Sequence, residues 1–352
     1  MPSLAVIDPN LYGLVLSYRA ILQSGTTIDP AWGPISEDDA DTYGRKLAGH
    51  LKCPSTKTTL ECFQDKDVSE FPNAIWFMSG SLWMPSYSSN SDNFLTGKPI
   101  KPKDILESPD FNKDGSITDV IIGTTKDEGL LYFYNDFEDS SNWWYDLSDS
   151  YPSTAARYLF NLPFTSEVQE KHRDAAEKVI NRYIEGIENY NPGNLQKNVD
   201  MFTDAAELFG SFKTAQKLTA RGINVYQYIL SYEGKNSWSE LYYGQEPRGV
   251  CHGDDLFYLF TMPYFNKVKL DDKDIEIKNV MVDAWTNFAN SGNPNDVSIP
   301  KKKQWKKTTV GANPGNIMRF WDISGETQAM KNDKNLNKRM KFWDNIMEGL
   351  EA

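Results

Sequence analysis

Apolar residues in this chain fall into short runs separated by longer amphipathic stretches. Arg19–Ser24 (RAILQS) is a short apolar run ended by Gly25, the pattern of a buried strand feeding a turn. Thr118–Thr124 (TDVIIGT) predicts a second buried strand, closing on the turn that carries Lys126, Asp127, Glu128 and Gly129. Ile223–Tyr232 (INVYQYILSY) alternates apolar and polar positions before Glu233 and Gly234 and predicts a third. Ser36–Cys53 opens with Ser36 and Asp39 as a capping box and continues as an amphipathic helix. Val199, Phe202, Ala206 and Phe209 recur on one face of a helix over Val199–Leu218, and Val280, Met281, Ala284, Trp285 and Phe288 form a similar stripe before Gly292 and Pro294. Strands separated by long helical regions indicate an α/β fold whose mostly parallel sheet is covered by helices on both faces. There is no internal repeat or low-complexity segment, and the polar connection Asn93–Leu106 is no convincing boundary, so 1–352 reads as a single domain.

Charge narrows the choice of partner. Forty-nine acidic residues against 37 basic ones give a net charge of −12, which repels a phosphate backbone, so nucleic acid is excluded as a partner. No run of 18 or more apolar residues exists to span a bilayer, and Met1–Asn10 lacks the basic start and apolar stretch of a secretory signal. Cys53 and Cys62 bracket the polar segment Pro54–Glu61, a span that one disulfide closes in an oxidising compartment and that two free thiols fit equally well in a reducing one. No Asn-x-Ser/Thr sequon adds support for secretion.

Two titratable residues stand at predicted strand ends, where open α/β sheets place their chemistry. His252, one of three histidines, follows the third strand in Arg248-Gly249-Val250-Cys251-His252-Gly253-Asp254-Asp255 and precedes the apolar helix Leu256–Phe260. Glu128 follows the second strand and is placed to reach a histidine in a neighbouring loop, holding its tautomer and stabilising its charged form. Taken singly, both residues are better explained as a histidine satisfied in the core and an acid capping the next helix. His50 and His172 lie on amphipathic and highly charged helical segments and read as structural. Asp110–Thr118 (DFNKDGSIT) follows the first nine positions of an EF-hand loop, but Ile121 stands where the bidentate glutamate belongs and the segment enters a strand. Lys301, Lys302, Lys303, Lys306 and Lys307 around Trp305 read as a solvated loop. No metal and no cofactor is called for.

In order and spacing these segments resemble the type-B carboxylesterase and cholinesterase family over nearly the whole chain. The matching stretches are RAILQSGT at Arg19–Thr26 with Trp32 beyond it, Cys53 with Cys62, GTTKDEG at Gly123–Gly129, and HGDDLFYLF at His252–Phe260. Trp285, Phe288, Ala289, Gly292, Asn293 and Pro294 look like the family's late helix and following turn. The resemblance implies the C-terminal strands of an α/β-hydrolase fold, with Glu128 as triad acid, His252 as general base, Ser24 as a serine hydrogen-bonding near the triad, Trp32 as an acyl-pocket wall, a Cys53–Cys62 bridge and secretion. It implies a small-molecule carboxylic ester as substrate. The family's nucleophile lies on a Gly-x-Ser-x-Gly elbow, and no such pentapeptide occurs in these 352 residues. The chain therefore reads as a truncated esterase domain, inactive by itself, whose first strand leaves an open sheet edge for a partner protein or for Met1–Ser17. A non-catalytic adhesion module of cholinesterase type is the competing reading.

Overall fold

The computed structural model describes residues 19–26, 28–31, 37–72, 74, 92–93, 98–99, 106–109, 111–133, 152–162, 167–186, 195–243, 249–262, 269–295, 304–309, 319–325 and 328–351. One five-stranded sheet organises them, with β1 (Arg19–Gln23), β2 (Asp119–Thr125), β3 (Asn224–Leu230), β4 (Arg319–Ile323) and β5 (Ala329–Asn332) adjacent in chain order. The first four strands are parallel and β5 returns antiparallel beside β4, so the sheet is mixed but mostly parallel, as the alternation of strands and helices predicts. Register sets Gln23 opposite Gly123 and Gly123 opposite Tyr228. Residues 92–93 and 98–99 form a separate two-strand ladder.

Parallel neighbours need long crossovers, and helices fill them. Between β1 and β2 lie α1 (Glu37–His50) and α2 (Thr59–Gln64). Between β2 and β3 lie α3 (Ser153–Leu159), α4 (Glu170–Ile184), α5 (Leu195–Thr203) and α6 (Phe209–Ala220). Between β3 and β4 come α7 (Trp238–Tyr243), α8 (Leu256–Leu259) and α9 (Asp272–Ser291), and α10 (Lys334–Glu351) ends the chain. No helix among the described residues is long and apolar enough to cross a membrane.

The period-2 geometry of a strand divides the core. On one face Ile121, Tyr226, Tyr228, Leu230, Trp321 and Ile323 pack against Ile277, Met281, Trp285 and Phe288 of α9. On the other, Val120, Ile122 and Val225 meet Ala215 and Leu218 of α6, while Ile229 and Phe320 join the large cluster built from α3 to α6 and α10. Because both faces are covered, β3 is buried at every position after Asn224, polar ones included, and does not alternate as its sequence suggests. β1 departs the other way: all five residues are half-buried, since among the described residues only β2 pairs with it.

Trp305 is buried as well, stacked on Trp321 at 4.8 Å with its indole N–H donating to the Gln227 carbonyl at 2.8 Å, while Lys306 and Lys307 beside it are exposed on a loop, as the reading of these lysines as solvated expects. Lys301, Lys302 and Lys303 lie outside the described residues. Strands β4 and β5 go unannounced by the hydrophobic pattern, because short runs such as RFWDI carry too few positions to fix a period, whereas helix α10 does carry a stripe, Leu336, Met340, Trp343 and Ile346, that the pattern above passes over.

Cys53 and Cys62 form a disulfide with Cα atoms 5.8 Å apart, which closes the turn between α1 and α2. Helix α1 stops at His50, short of the predicted Cys53, because Lys52 turns left-handed at φ 54° and swings Cys53 toward its partner. The EF-hand-like segment is a turn braced from within: Asn112 Oδ1 accepts the Ile117 N–H and its Nδ2 donates to the Ile117 carbonyl, both at 2.8 Å. It delivers the chain into β2 and no helix follows it.

Candidate active site

Parallel strands end on one side of the sheet, and the turns leaving those ends bring three distant residues together. Ser24 follows β1, Glu128 opens a short 3-10 helix (Glu128–Phe133) after β2, and His252 stands in the loop after β3. Glu128 Oε2 lies 2.6 Å from His252 Nδ1, while Oε1 accepts the Ser24 hydroxyl at 2.6 Å and the Thr125 N–H at 2.6 Å. A carboxylate only accepts, so the imidazole carries its proton on Nδ1 and leaves the lone pair on Nε2. The Glu128 side chain is fully buried and that of His252 is 31 % exposed, which leaves the ring open on part of its surface.

The backbone is bent to achieve this. Ser24 has φ 45° and Gly25 φ 119°, a left-handed pair that turns the chain off β1 and keeps the hydroxyl pointing at Glu128. Gly253, with φ +82°, is the pivot beside the histidine, and a Cβ there would meet the Trp238 indole nitrogen at 3.0 Å.

Carboxylates then lock the loops. Asp127, next to the acid, donates its N–H to the Val250 carbonyl at 3.0 Å and receives the Val250 N–H on Oδ2 at 2.9 Å, clamping the turn after β2 to the histidine loop. Asp254 accepts the Cys251 N–H, the Trp238 N–H and the Ser237 hydroxyl at 2.7 to 2.8 Å. Asp255 accepts from Gln23 Nε2 at 2.7 Å and the Tyr228 hydroxyl at 2.8 Å, tying α8 to the ends of β1 and β3.

Another acid completes the cluster. Glu207 lies in a π-helical turn, Asp204–Leu208, that interrupts the predicted continuous helix Val199–Leu218. Its Oε1 is 3.7 Å from His252 Nδ1. The signal for it is a lone charge in the mainly apolar run Ala205–Phe212 (AAELFGSF), which the face-by-face count of Val199, Phe202, Ala206 and Phe209 passes over.

So many buried acids around one imidazole shift their own titration. Burial raises Asp254 to about 8 against the pull of its three hydrogen bonds. Burial also lifts Glu207 and Asp29 well above ordinary carboxyl values, and repulsion from Glu128 adds to both. For His252, burial alone lowers the pKa, but the charge of Glu128, its hydrogen bond, and Asp255 and Asp254 behind it outweigh that and raise it. Cys251 is buried with its thiol pushed up by burial and by the charges of Asp254 and Glu128, which makes it a poor nucleophile.

Glu128, Glu207 and His252 each offer a donor atom, all within 4.8 Å of one another. Tetrahedral bonds of ~2.0 to 2.1 Å hold ligand atoms roughly 3.3 Å apart, whereas His252 and Glu128 approach to 2.6 Å. A proton, not a cation, fits between them.

Among the residues singled out from the sequence, Ser24, Glu128 and His252 thus converge, whereas Trp32 lies outside the described residues. Cys53 and Cys62 form their bridge between α1 and α2. His50 lies on the last turn of α1, and His172 packs near Phe160 on α4, with ring centroids 6.2 Å apart.

A mostly parallel sheet covered by helices, with an acid and a histidine paired at its strand ends, defines an α/β fold class. A sequence model of the carboxylesterase family matches residues 4–343, and the chain belongs to that family. It is 29 % identical over 296 residues to venom carboxylesterase-6 of Apis mellifera, an alignment covering 78 % of this chain and 49 % of the relative. It is 24 % identical over 310 residues to an acetylcholinesterase of Leptinotarsa decemlineata, covering 85 % of the chain and 46 % of the relative. An acetylcholinesterase of Electrophorus electricus is 24 % identical over 328 residues, 82 % and 48 % of the two chains. The chain therefore spans about half the length of the curated relatives it matches.

Proposed function

We propose that this chain supplies the general base, His252, and the orienting acid, Glu128, of a serine ester hydrolase acting on small carboxylic esters. The observation that carries the reading is the hydrogen-bonded line Ser24–Glu128–His252, which leaves the Nε2 lone pair free to take a proton from an attacking hydroxyl. Family membership supports the reaction class. In this reading Trp32 walls the acyl pocket, residues 1–352 belong to one esterase domain, and the outer edge of β1 is where a further strand or a partner protein adds. The disulfide and the likeness to a venom carboxylesterase support an extracellular setting.

A base needs a positioned hydroxyl, and these 352 residues contain no Gly-x-Ser-x-Gly elbow. The expected result for the chain by itself is no nitrophenyl acetate turnover that depends on His252 and no labelling by a fluorophosphonate. Fused behind the N-terminal half of the honeybee relative, it should gain turnover that His252→Ala abolishes. Hydrolysis by the unfused chain that disappears in His252→Ala refutes the first statement, and a folded fusion without activity refutes the second.

A further inference from the structure

We infer that Glu207 is a positioning residue for the His252–Glu128 pair, a second carboxyl directed at the same edge of the imidazole that shares its proton balance and holds the ring on Glu128. The inference rests on the pairing read above, and its test separates the two.

The geometry is specific. Glu207 projects from a π-helical turn, a local widening that re-aims side chains and recurs at functional sites. It is 3 % exposed, with Oε1 3.7 Å from His252 Nδ1, too long for a hydrogen bond and short enough for strong coupling. Its Oε2 has no hydrogen-bond partner among the described residues and lies under Gly25, where a Cβ would come within 3.2 Å. The Ser24–Gly25 turn that aims the serine at Glu128 thus also roofs Glu207. No side chain larger than glycine fits there without pressing on that carboxyl.

The surrounding charges define its role. Glu207 faces Glu128 from the turn after β2, His252 and Asp255 from the loop after β3, and Asp29 from the loop after β1. As a protonated acid, favoured by burial and by repulsion from Asp29, Glu128 and Asp255, it leaves one carboxylate at Nδ1, and the N–H stays on Glu128. As an anion it would set a second carboxylate beside the same N–H and pull the ring between two acceptors. One proton lost from this pair comes from the imidazolium or from Glu207, so the two groups titrate in two joint steps.

The test is a pH titration of the 15N-labelled chain, following the two ring nitrogens of His252, with the other two histidines assigned by His50→Gln and His172→Gln. The wild type should give two inflections. Glu207→Gln, isosteric but unable to ionise, should give one, with a proton affinity at the upper step lower by roughly tenfold or more, as expected for charges this close. Glu207→Asp, which keeps an acid on the same turn, should bring the second inflection back; a mere packing role would not distinguish it from Gln. A single inflection in the wild type overturns the inference, whether or not a variant folds. Glu128→Gln separates the readings: if it shifts His252 and Glu207→Gln does not, only Glu207 loses its role, and if neither shifts it, the pairing itself falls.

Discussion

Glu128→Gln exchanges one oxygen for an amide nitrogen and so tests which group orders the site. Glu128 Oε1 accepts two hydrogen bonds, from the Ser24 hydroxyl and the Thr125 N–H, so the glutamine oxygen stays at that end and its NH2 turns toward His252 Nδ1. A donor there forces the ring to present its lone pair on Nδ1 and its hydrogen on Nε2, the opposite of what a base for an attacking hydroxyl needs. The variant also removes a charge-assisted hydrogen bond of 2.6 Å, worth about 1.5 to 3 kcal/mol, that favours the protonated imidazole. Burial, the largest influence on this histidine, then acts with less opposition, so the pKa should fall from above the ordinary 6.5 to below it. Long-range 1H–15N spectra report both tautomer and pKa, and three histidines in the chain keep them resolvable. Unchanged tautomer and pKa in a folded Glu128→Gln chain would show that another group orders His252, and the proposed base–acid pair would be withdrawn.

Three further outcomes test the frame around the site. Glu207 has a folded-state pKa raised above the ordinary 4.5, so it binds a proton that the unfolded chain releases; stability is lost as pH rises from about 4.5 toward the folded value, and Glu207→Gln should become increasingly stable relative to wild type across that range in urea titrations. Arg339 reaches from α10 to the fully buried Asp204, which also accepts from Tyr183, so Arg339→Met leaves a buried carboxylate without its cation and should cost about 3 to 5 kcal/mol by chemical denaturation. The bridge between Cys53 and Cys62 spans a sequence separation of 9, for which loop closure gives about 2 to 3 kcal/mol; the double change to serine should lower stability by that amount and leave the His252 spectrum unmoved, because the bridge lies in the crossover before β2.

The amino-acid sequence by itself determined the α/β class, β2 and β3 and the C-terminal half of α9, because hydrophobic periodicity is a local property that survives without knowledge of neighbours. It also marked Glu128 and His252 as candidates, since strand ends are where side chains emerge above a sheet, whereas Ser24 entered only through the likeness of RAILQSGT to the carboxylesterase family. What it could not carry is distance. That Ser24 and Glu128 meet across 104 residues and Glu128 and His252 across 124 follows from the parallel register of β1, β2 and β3, which sets three strand ends side by side. The π-helical turn that brings Glu207 to the imidazole, the burial of β3 on both faces and the half-buried state of β1 were likewise decided by packing, because each depends on what lies opposite and not on the residues of the segment.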